Sequence, residues 1–416
     1  MNTRHKLIPG LALSVAAVAL STTAAVPARA AEDTITLGAA VSLSGKYTTA
    51  GNHTKKGYDL AVKFINAKGG IKVGGKSYKL AIKYYDDEST PARGDQLAER
   101  LIQQDGVKFM LGPYSSGLTK AIAPVTEKYK VPMVEGNGAS RSLFNKGYRY
   151  LFAVLSTSEK YLASAIALAA EQAEKAGRAA SSIKVAVAVE NDPFSLDVRA
   201  GVIDDAKRAG MKIVIDDKLP KELNDMSATL TKVRALKPDV LVVSGHSKGA
   251  ALVTRQIADM KIDVPMLAIT HCESAKVTDQ KKFGDKADYT LCATQWAPTM
   301  SYRDDLFGSA ADYAKTFEKE YGYVPPYQAA ESSASVEVYA DALSRAGSLD
   351  PAKVRDALAA TDMQTFYGFV KFDETGKNIA KPMALRQIQK GKYVVVAPSK
   401  WAEAPLIYPR PKWSER

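Results

Sequence analysis

The chain has 416 residues, 46% of them hydrophobic and 25% charged, enough for two domains of ordinary size. Lys and Arg outnumber Asp and Glu by 57 to 45, and since the first thirty residues hold three basic groups and no acidic ones, the remainder carries an excess of nine. The basic residues are scattered along helix faces beside acidic ones, with no cluster interleaved with aromatics; this excludes nucleic acid as a partner and reads as a solvated surface that attracts acidic ligands.

Residues 1–30 have the composition of a cleaved secretory leader. Arg4 and Lys6 form a basic start, Leu7 to Leu20 is apolar, and Ala28-Arg29-Ala30 is a small-residue cleavage site. The apolar part is too short to span a bilayer. No Cys follows it, so no lipid is expected at the new N-terminus, and no other long apolar run occurs. The mature protein is expected to be soluble and exported. From Ile35 the pattern is strand, then helix, repeatedly. Ile35 to Val41 reads as a buried strand, Thr48 to Asn52 as a loop, and Lys56 to Ala67 as an amphipathic helix. Leu80 to Tyr85 is a strand, Pro91 to Gln104 a helix, and Val107 to Leu111 a strand.

The stretch from Leu111 to Phe144 organises the rest. Gly112-Pro113 ends a strand, and Ser115-Ser116-Gly117 leads into a helix from Leu118 to Tyr129. Val131 to Val134 is the next strand, and Gly136-Asn137-Gly138-Ala139-Ser140 leads into another short helical start. Two neighbouring strand-to-helix turns thus offer free N–H groups, small hydroxyls and positive dipole ends, a combination that binds carboxylates. Each serine taken alone reads better as a helix cap.

Further along, helices are expected over Ile166 to Ala176, Val198 to Ala209, Ala228 to Ala235 and Ala250 to Met260. Strands are expected over Lys184 to Val189, Lys212 to Asp216, Asp239 to Ser244 and Pro265 to Thr270. Such alternation predicts an α/β fold with parallel sheets covered by helices, binding ligands beyond the carboxyl ends of the strands. Cys272 and Cys292 in an exported chain suggest a disulfide, two buried thiols being the alternative. The tail from Trp401 to Arg416 is proline- and charge-rich and is expected to pack loosely along one lobe.

The order G-P-x-S-S, helix, V-P and small-residue turn resembles the type I periplasmic binding proteins of the leucine/isoleucine/valine family. The opening LGAAVSLSGKYTTAGNHTKKGYDLAVKFINAKGGI and the segment YYDDESTPARGDQLAERLIQQDGV extend the resemblance from Ile35 to about Pro398. The resemblance implies two Rossmann-like lobes with parallel central sheets, joined by a three-segment hinge. Lobe 1 would be residues 32–155 plus 298–365, lobe 2 residues 156–297 plus 366–398, and 399–416 the tail. It implies a periplasmic, monomeric solute-binding protein that delivers a carboxylate-bearing ligand to an ABC transporter permease, with no cofactor and no catalysis. The lobe 1 ligand groups would be Ser116 and the backbone of Asn137, Gly138 and Ala139, with Tyr47 and Tyr114 as walls or hydroxyl donors. From lobe 2 would come Phe194, His246, His271 and Glu273, the last as ammonium acceptor if it turns inward. Ordinary core packing is the other reading of the aromatics. A branched-chain or other apolar amino acid, an aromatic acid and a dicarboxylic acid all remain open; the two histidines suit a phenol, a carbonyl or a second carboxylate.

Two motif matches lack their context. Gly70 to Ser77 fits the phosphate-loop pattern, but a helix precedes it and a strand follows, so Gly69-Gly70 reads as a helix cap and Gly74-Gly75 as a hairpin turn. Gly245-His246-Ser247-Lys248-Gly249 fits a nucleophile elbow between strand and helix, which makes an α/β-hydrolase the runner-up. That fold needs several further strands before its His, and His271 follows after only one. The histidines are dispersed, and neither H-E-x-x-H nor paired C-x-x-C occurs, so no metal site is expected.

Overall fold

The computed structural model describes residues 33–416; the predicted leader lies outside them. The first sheet is built from β1 (Thr34–Val41), helix α1 (Thr48–Ala67), a hairpin β2 (Ile71–Val73) and β3 (Lys76–Asp86), α2 (Pro91–Gln103), β4 (Met110–Leu111), α3 (Ser116–Lys128), β5 (Met133–Glu135) and β6 (Leu151–Ala153). Its order is β2-β3-β1-β4-β5-β6, parallel except for the β2–β3 pair. Gly74 and Gly75 sit at φ 57° and 83° in that hairpin turn, and Gly70 N–H returns to Ile65 O at the end of α1. The phosphate-loop match is therefore a helix end followed by a β-hairpin.

The second sheet follows: α4 (Ala163–Lys175), β7 (Lys184–Glu190), α5 (Pro193–Arg208), β8 (Lys212–Leu219), α6 (Ser227–Leu236), β9 (Val240–Ser244), α7 (His246–Asp259), β10 (Met266–Ile269), short helices α8 (Cys272–Ala275) and α9 (Gln280–Phe283), and β11 (Leu291–Thr294). Five parallel strands in the order β8-β7-β9-β10-β11 are extended by two antiparallel ones from the C-terminal part. The central strands are buried on both faces, as parallel sheets under helices are.

Between β11 and those last strands the chain makes a small ribbon, β12 (Arg303–Asp304) and β13 (Gly308–Ser309), then α10 (Ala310–Tyr321), α11 (Tyr327–Ala346), α12 (Pro351–Ala359) and a hairpin β14 (Asp362–Gln364) and β15 (Phe369–Lys371). Helix α11 lies directly on α1. A Cβ at Gly57 would come within 2.2 Å of Ala329 O, so only glycine permits this approach. Ser333 Oγ donates to Gly57 O at 2.7 Å across the same contact.

The expected third crossing at Phe366-Tyr367 is corrected. After β15 the chain stays with the first sheet: Lys377 bridges Ala153, and Asn378 Nδ2 donates to Val154 O at 2.7 Å. It joins the second sheet only at β16 (Ala384–Gln389), which pairs with β17 (Lys392–Ala397). The hairpin turns the chain back along β6, so residues 366–378 belong with the first sheet. Three chain segments meet between the sheets. The Gln295 side chain accepts from Ser156 N and donates to Ser156 O, at 3.1 and 2.9 Å. Lys381 Nζ donates to Gln295 O at 2.6 Å, and Trp296 Nε1 to Phe366 O at 3.1 Å.

Cys272 and Cys292 form a buried disulfide with Cα atoms 5.8 Å apart. Cys272 opens α8 rather than ending a strand. The tail is not loose. Arg410 N donates to Pro265 O, Trp413 Nε1 to Ile262 O and Ile407 N to Gln387 Oε1, at 2.8, 3.0 and 2.9 Å, which straps residues 403–416 to the second sheet. Among the described residues no helix is long and apolar enough to cross a membrane.

Candidate functional site

The strand ends of both sheets converge on one small cavity, about 10 Å³ and room for about one water molecule. Tyr114 and Ser116 reach it from the turn after β4, Asn137 from the turn after β5, and Phe194, His246 and His271 from the turns after β7, β9 and β10. Tyr161, Tyr327, Gln328 and Glu331 complete the lining.

Phe194 is set by its helix start. Pro193 occupies the first helical position, and the Asp192 carboxylate accepts from Phe194 N and Ser195 N at 3.0 and 3.3 Å. The same Asp192 oxygen lies 3.3 Å from His246 Nε2. Burial works against its ionisation, but His246 and the Ser195 bonds hold its carboxyl below the usual range. His246 Nδ1 meets Tyr114 OH at 3.0 Å, so one imidazole links the two sheets. Both histidines lie in the left-handed backbone region, His246 at φ 37° and His271 at φ 62°. Two non-glycine residues strained at adjacent strand ends point to a functional constraint. Burial, then neighbouring His246, pushes the His271 imidazole well below its ordinary pKa, so it is uncharged.

The turn after β5 differs from expectation. Asn137 N and Gly138 N both donate to the Glu135 carboxylate, and Thr119 Oγ1 donates to its other oxygen at 2.9 Å. The two amides expected to hold a ligand carboxylate are therefore taken by the chain's own acid. Glu135 fits because Gly112 has no side chain; a Cβ there would lie 2.1 Å from Glu135 Oε2. Ala139 lies behind the turn, its carbonyl accepting from Ser158 N at 2.8 Å, and does not line the cavity. Ser116 and Ser140 make no side-chain caps. Ser116 Oγ instead accepts from Ser140 N at 2.9 Å, joining the two turns.

Two further expected residues face elsewhere. Tyr47 packs its ring 5.5 Å from Tyr114 and 4.8 Å from His246, outside the cavity wall. Glu273 does not turn inward: Arg386 Nη1 donates to it at 3.0 Å and Tyr327 N at 3.3 Å. Ser247 lies within α7, its Oγ 2.6 Å from Ser274 Oγ, with no histidine partner, which removes the hydrolase reading.

The residues not foreseen are Tyr161, Tyr327, Gln328 and Glu331. The last three share the first turns of α11, Glu331 lying four residues after Tyr327 and three after Gln328, the spacings that bring side chains together on a helix. Their polar atoms are underused. Both amide atoms of Gln328, Asn137 Oδ1 and Tyr327 OH are buried without a hydrogen-bond partner. Unpaired buried polar atoms are costly, and four of them around one cavity mark a place built for a polar ligand.

A sequence profile described as periplasmic binding protein matches residues 34–392. The chain is 26% identical over 411 residues to Leu/Ile/Val-binding protein homolog 7 of Brucella abortus, covering 96% of this chain and 99% of that one. It is likewise 26% identical to homolog 8 of Brucella suis, over 97% and 98% of the two chains. Among solved structures its fold is similar to the branched-chain amino acid transporter substrate binding protein LivJ of Streptococcus pneumoniae in complex with isoleucine. That match has a TM-score of 0.75 and 24% identity, and covers 88% of this chain and 100% of LivJ. An ABC-transporter solute binding protein of Rhodopseudomonas palustris in complex with 3,4-dihydroxy benzoic acid matches at TM-score 0.75 and 20% identity, over 91% and 99% of the chains.

Proposed function

Because the chain belongs to the periplasmic binding protein family, we propose that it captures a small carboxylate-bearing solute between two lobes and delivers it to the membrane permease of an ABC transporter. The observation that carries this reading is the cavity at the strand ends of both sheets, with unpaired polar atoms on Asn137, Tyr327 and Gln328. Relatives that hold isoleucine or benzoic acids support a small acid as the solute. Lobe 1 comprises residues 32–155 and 298 to about 378, and lobe 2 residues 156–297 and about 384–398 with the tail 399–416. The crossings lie near Leu155-Ser156, Trp296-Ala297 and residues 379–383. Ser116, Asn137, Tyr114, Phe194, His246 and His271 contact the solute. The Ser116 hydroxyl and the unpaired Gln328 Nε2 donate to its carboxylate in place of the amides that Glu135 occupies, while the unpaired Asn137 Oδ1 accepts from a donor on the solute. The protein works in the periplasm as a monomer after its leader is removed.

The present cavity holds about one water, so a solute enters only as Tyr114 and His246 part and the lobes open. A thermal-shift screen of amino acids, aromatic acids and dicarboxylates tests the reading, since a ligand of the folded state raises the melting temperature. A saturable shift that weakens in Ser116→Ala is the expected result. A flat response across all three classes would overturn it.

A further inference from the structure

Resting on that reading, the cavity's charges identify which end of the solute meets which wall. None of the lining residues is Lys or Arg, and His271 is kept uncharged by burial. One lining side chain is a carboxylic acid, Glu331, 1% exposed on the second turn of α11. Its Oε2 lies 3.2 Å from the Tyr367 hydroxyl, which lies equally far from Gln295 Oε1 at the meeting of the three crossings. A second buried acid, Glu135, stands behind the Asn137 turn.

A solute with only negative charge would meet these acids in a low-dielectric site whose lining carries no cation; buried Lys381, which acts on Glu331 from outside the lining, donates to Gln295 O. A solute with an ammonium group beside its carboxylate reverses the situation, because its cation pairs with Glu331 while its carboxylate takes the Ser116 hydroxyl and the unpaired Gln328 Nε2. Burial first, and then the nearby acids Glu135 and Glu273, push the Glu331 carboxyl well above the ordinary range against Tyr367 and Lys381, a cost that a ligand cation removes. Glu273, the acid foreseen for this role, is already held by Arg386.

We propose that Glu331 is the ammonium acceptor of this site, placed on the helix after the second crossing, and that it selects amine-bearing acids over amine-free acids of the same shape. Tyr367 is a positioning residue that fixes the carboxylate toward the cavity.

The test uses matched pairs on the full mature chain: leucine against 4-methylpentanoate, and phenylalanine against 3-phenylpropanoate, with benzoate alongside, read by calorimetry. The amine-bearing member of at least one pair should bind ten-fold or more tightly than its partner. Glu331→Gln should lose that preference by a similar factor. Equal binding within the pairs, tighter binding of benzoate, or unchanged preference in Glu331→Gln would overturn the assignment while leaving solute capture intact. No binding of any of these probes, nor of any acid in the wider screen, would sink the solute-capture reading itself. If Glu331→Gln fails to fold, the wild-type pairs still decide, and Tyr367→Phe supplies the second variant, expected to weaken the amine-bearing ligand more than its partner.

Discussion

Ser116 is the residue where the two ligand turns are joined, since its hydroxyl accepts the Ser140 amide. Ser116→Ala leaves that buried N–H unpaired and, on the proposed reading, removes a donor to the solute. It should lower stability by about 1–3 kcal/mol and weaken ligand binding about ten-fold, measured by urea denaturation and calorimetry; unchanged affinity would take Ser116 out of the site. Glu135 gives a pH signature. Burial raises its carboxyl from 4.5 to about 7, against the bonds from Thr119, Asn137 and Gly138. The folded chain then keeps a proton that the unfolded chain has released, so this group's contribution to stability is whole below pH 4.5 and is lost as the pH rises through about 7. Relative to wild type, Glu135→Gln should gain on the order of 3 kcal/mol between pH 4 and pH 8. Urea melts at the two pH values with equal differences would refute it. The placing of Ser116 and Asn137 in the turns at the strand ends was legible because turn chemistry announces itself in small polar residues. The capture of the Asn137 and Gly138 amides was not, because it depends on Glu135 folding back under Gly112, which no local pattern encodes.

At the scale of elements, most strands and helices follow from periodicity, and the departures cluster at helix starts near the cleft. Helix α1 begins at Thr48, where a loop was expected, and Asn52 Nδ2 donates to Thr48 O within its first turns. Helix α7 begins at His246, four residues before the first apolar residue that sequence reading needs. Helix α11 was missed because it is buried nearly all round over Tyr327 to Ala340 and so shows no amphipathic stripe. Its partly polar buried run, with Gln328, Glu331 and Ser332, carries the cavity wall. The Cys272–Cys292 bridge fixes the start of α8, next to strained His271, against β11. With a sequence separation of 20 between the cysteines, replacing both by Ser should cost about 3 kcal/mol and weaken ligands that touch His271. Denaturation midpoints unchanged by the double replacement would show the bridge to be dispensable.

The whole molecule is governed by contacts that cross between the sheets. Lys46 pairs with Glu190, both largely buried, and Tyr114 meets His246. These hold the cleft shut from the protein side, and a solute between the lobes adds contacts to both walls. Small-angle scattering should show a smaller radius of gyration with ligand than without. Lys46→Ala combined with Tyr114→Phe should enlarge the ligand-free form further. Superimposable curves for all states would mean a rigid pocket. Two sheets and their order along the chain were legible through the resemblance, but the return of residues 372–378 to β6 was not, since it rests on long-range pairing.

The strapped tail has a practical consequence. The described chain starts at Asp33, beside β1, and ends at Arg416, pinned through Trp413 to the second sheet. Asp33 and Trp413 therefore sit beside different sheets, and neither lines the cavity. Fluorophores attached there form a gauge of opening and closing that needs no label near the solute, and its signal tracks the tail's lobe as long as Trp413 keeps its grip.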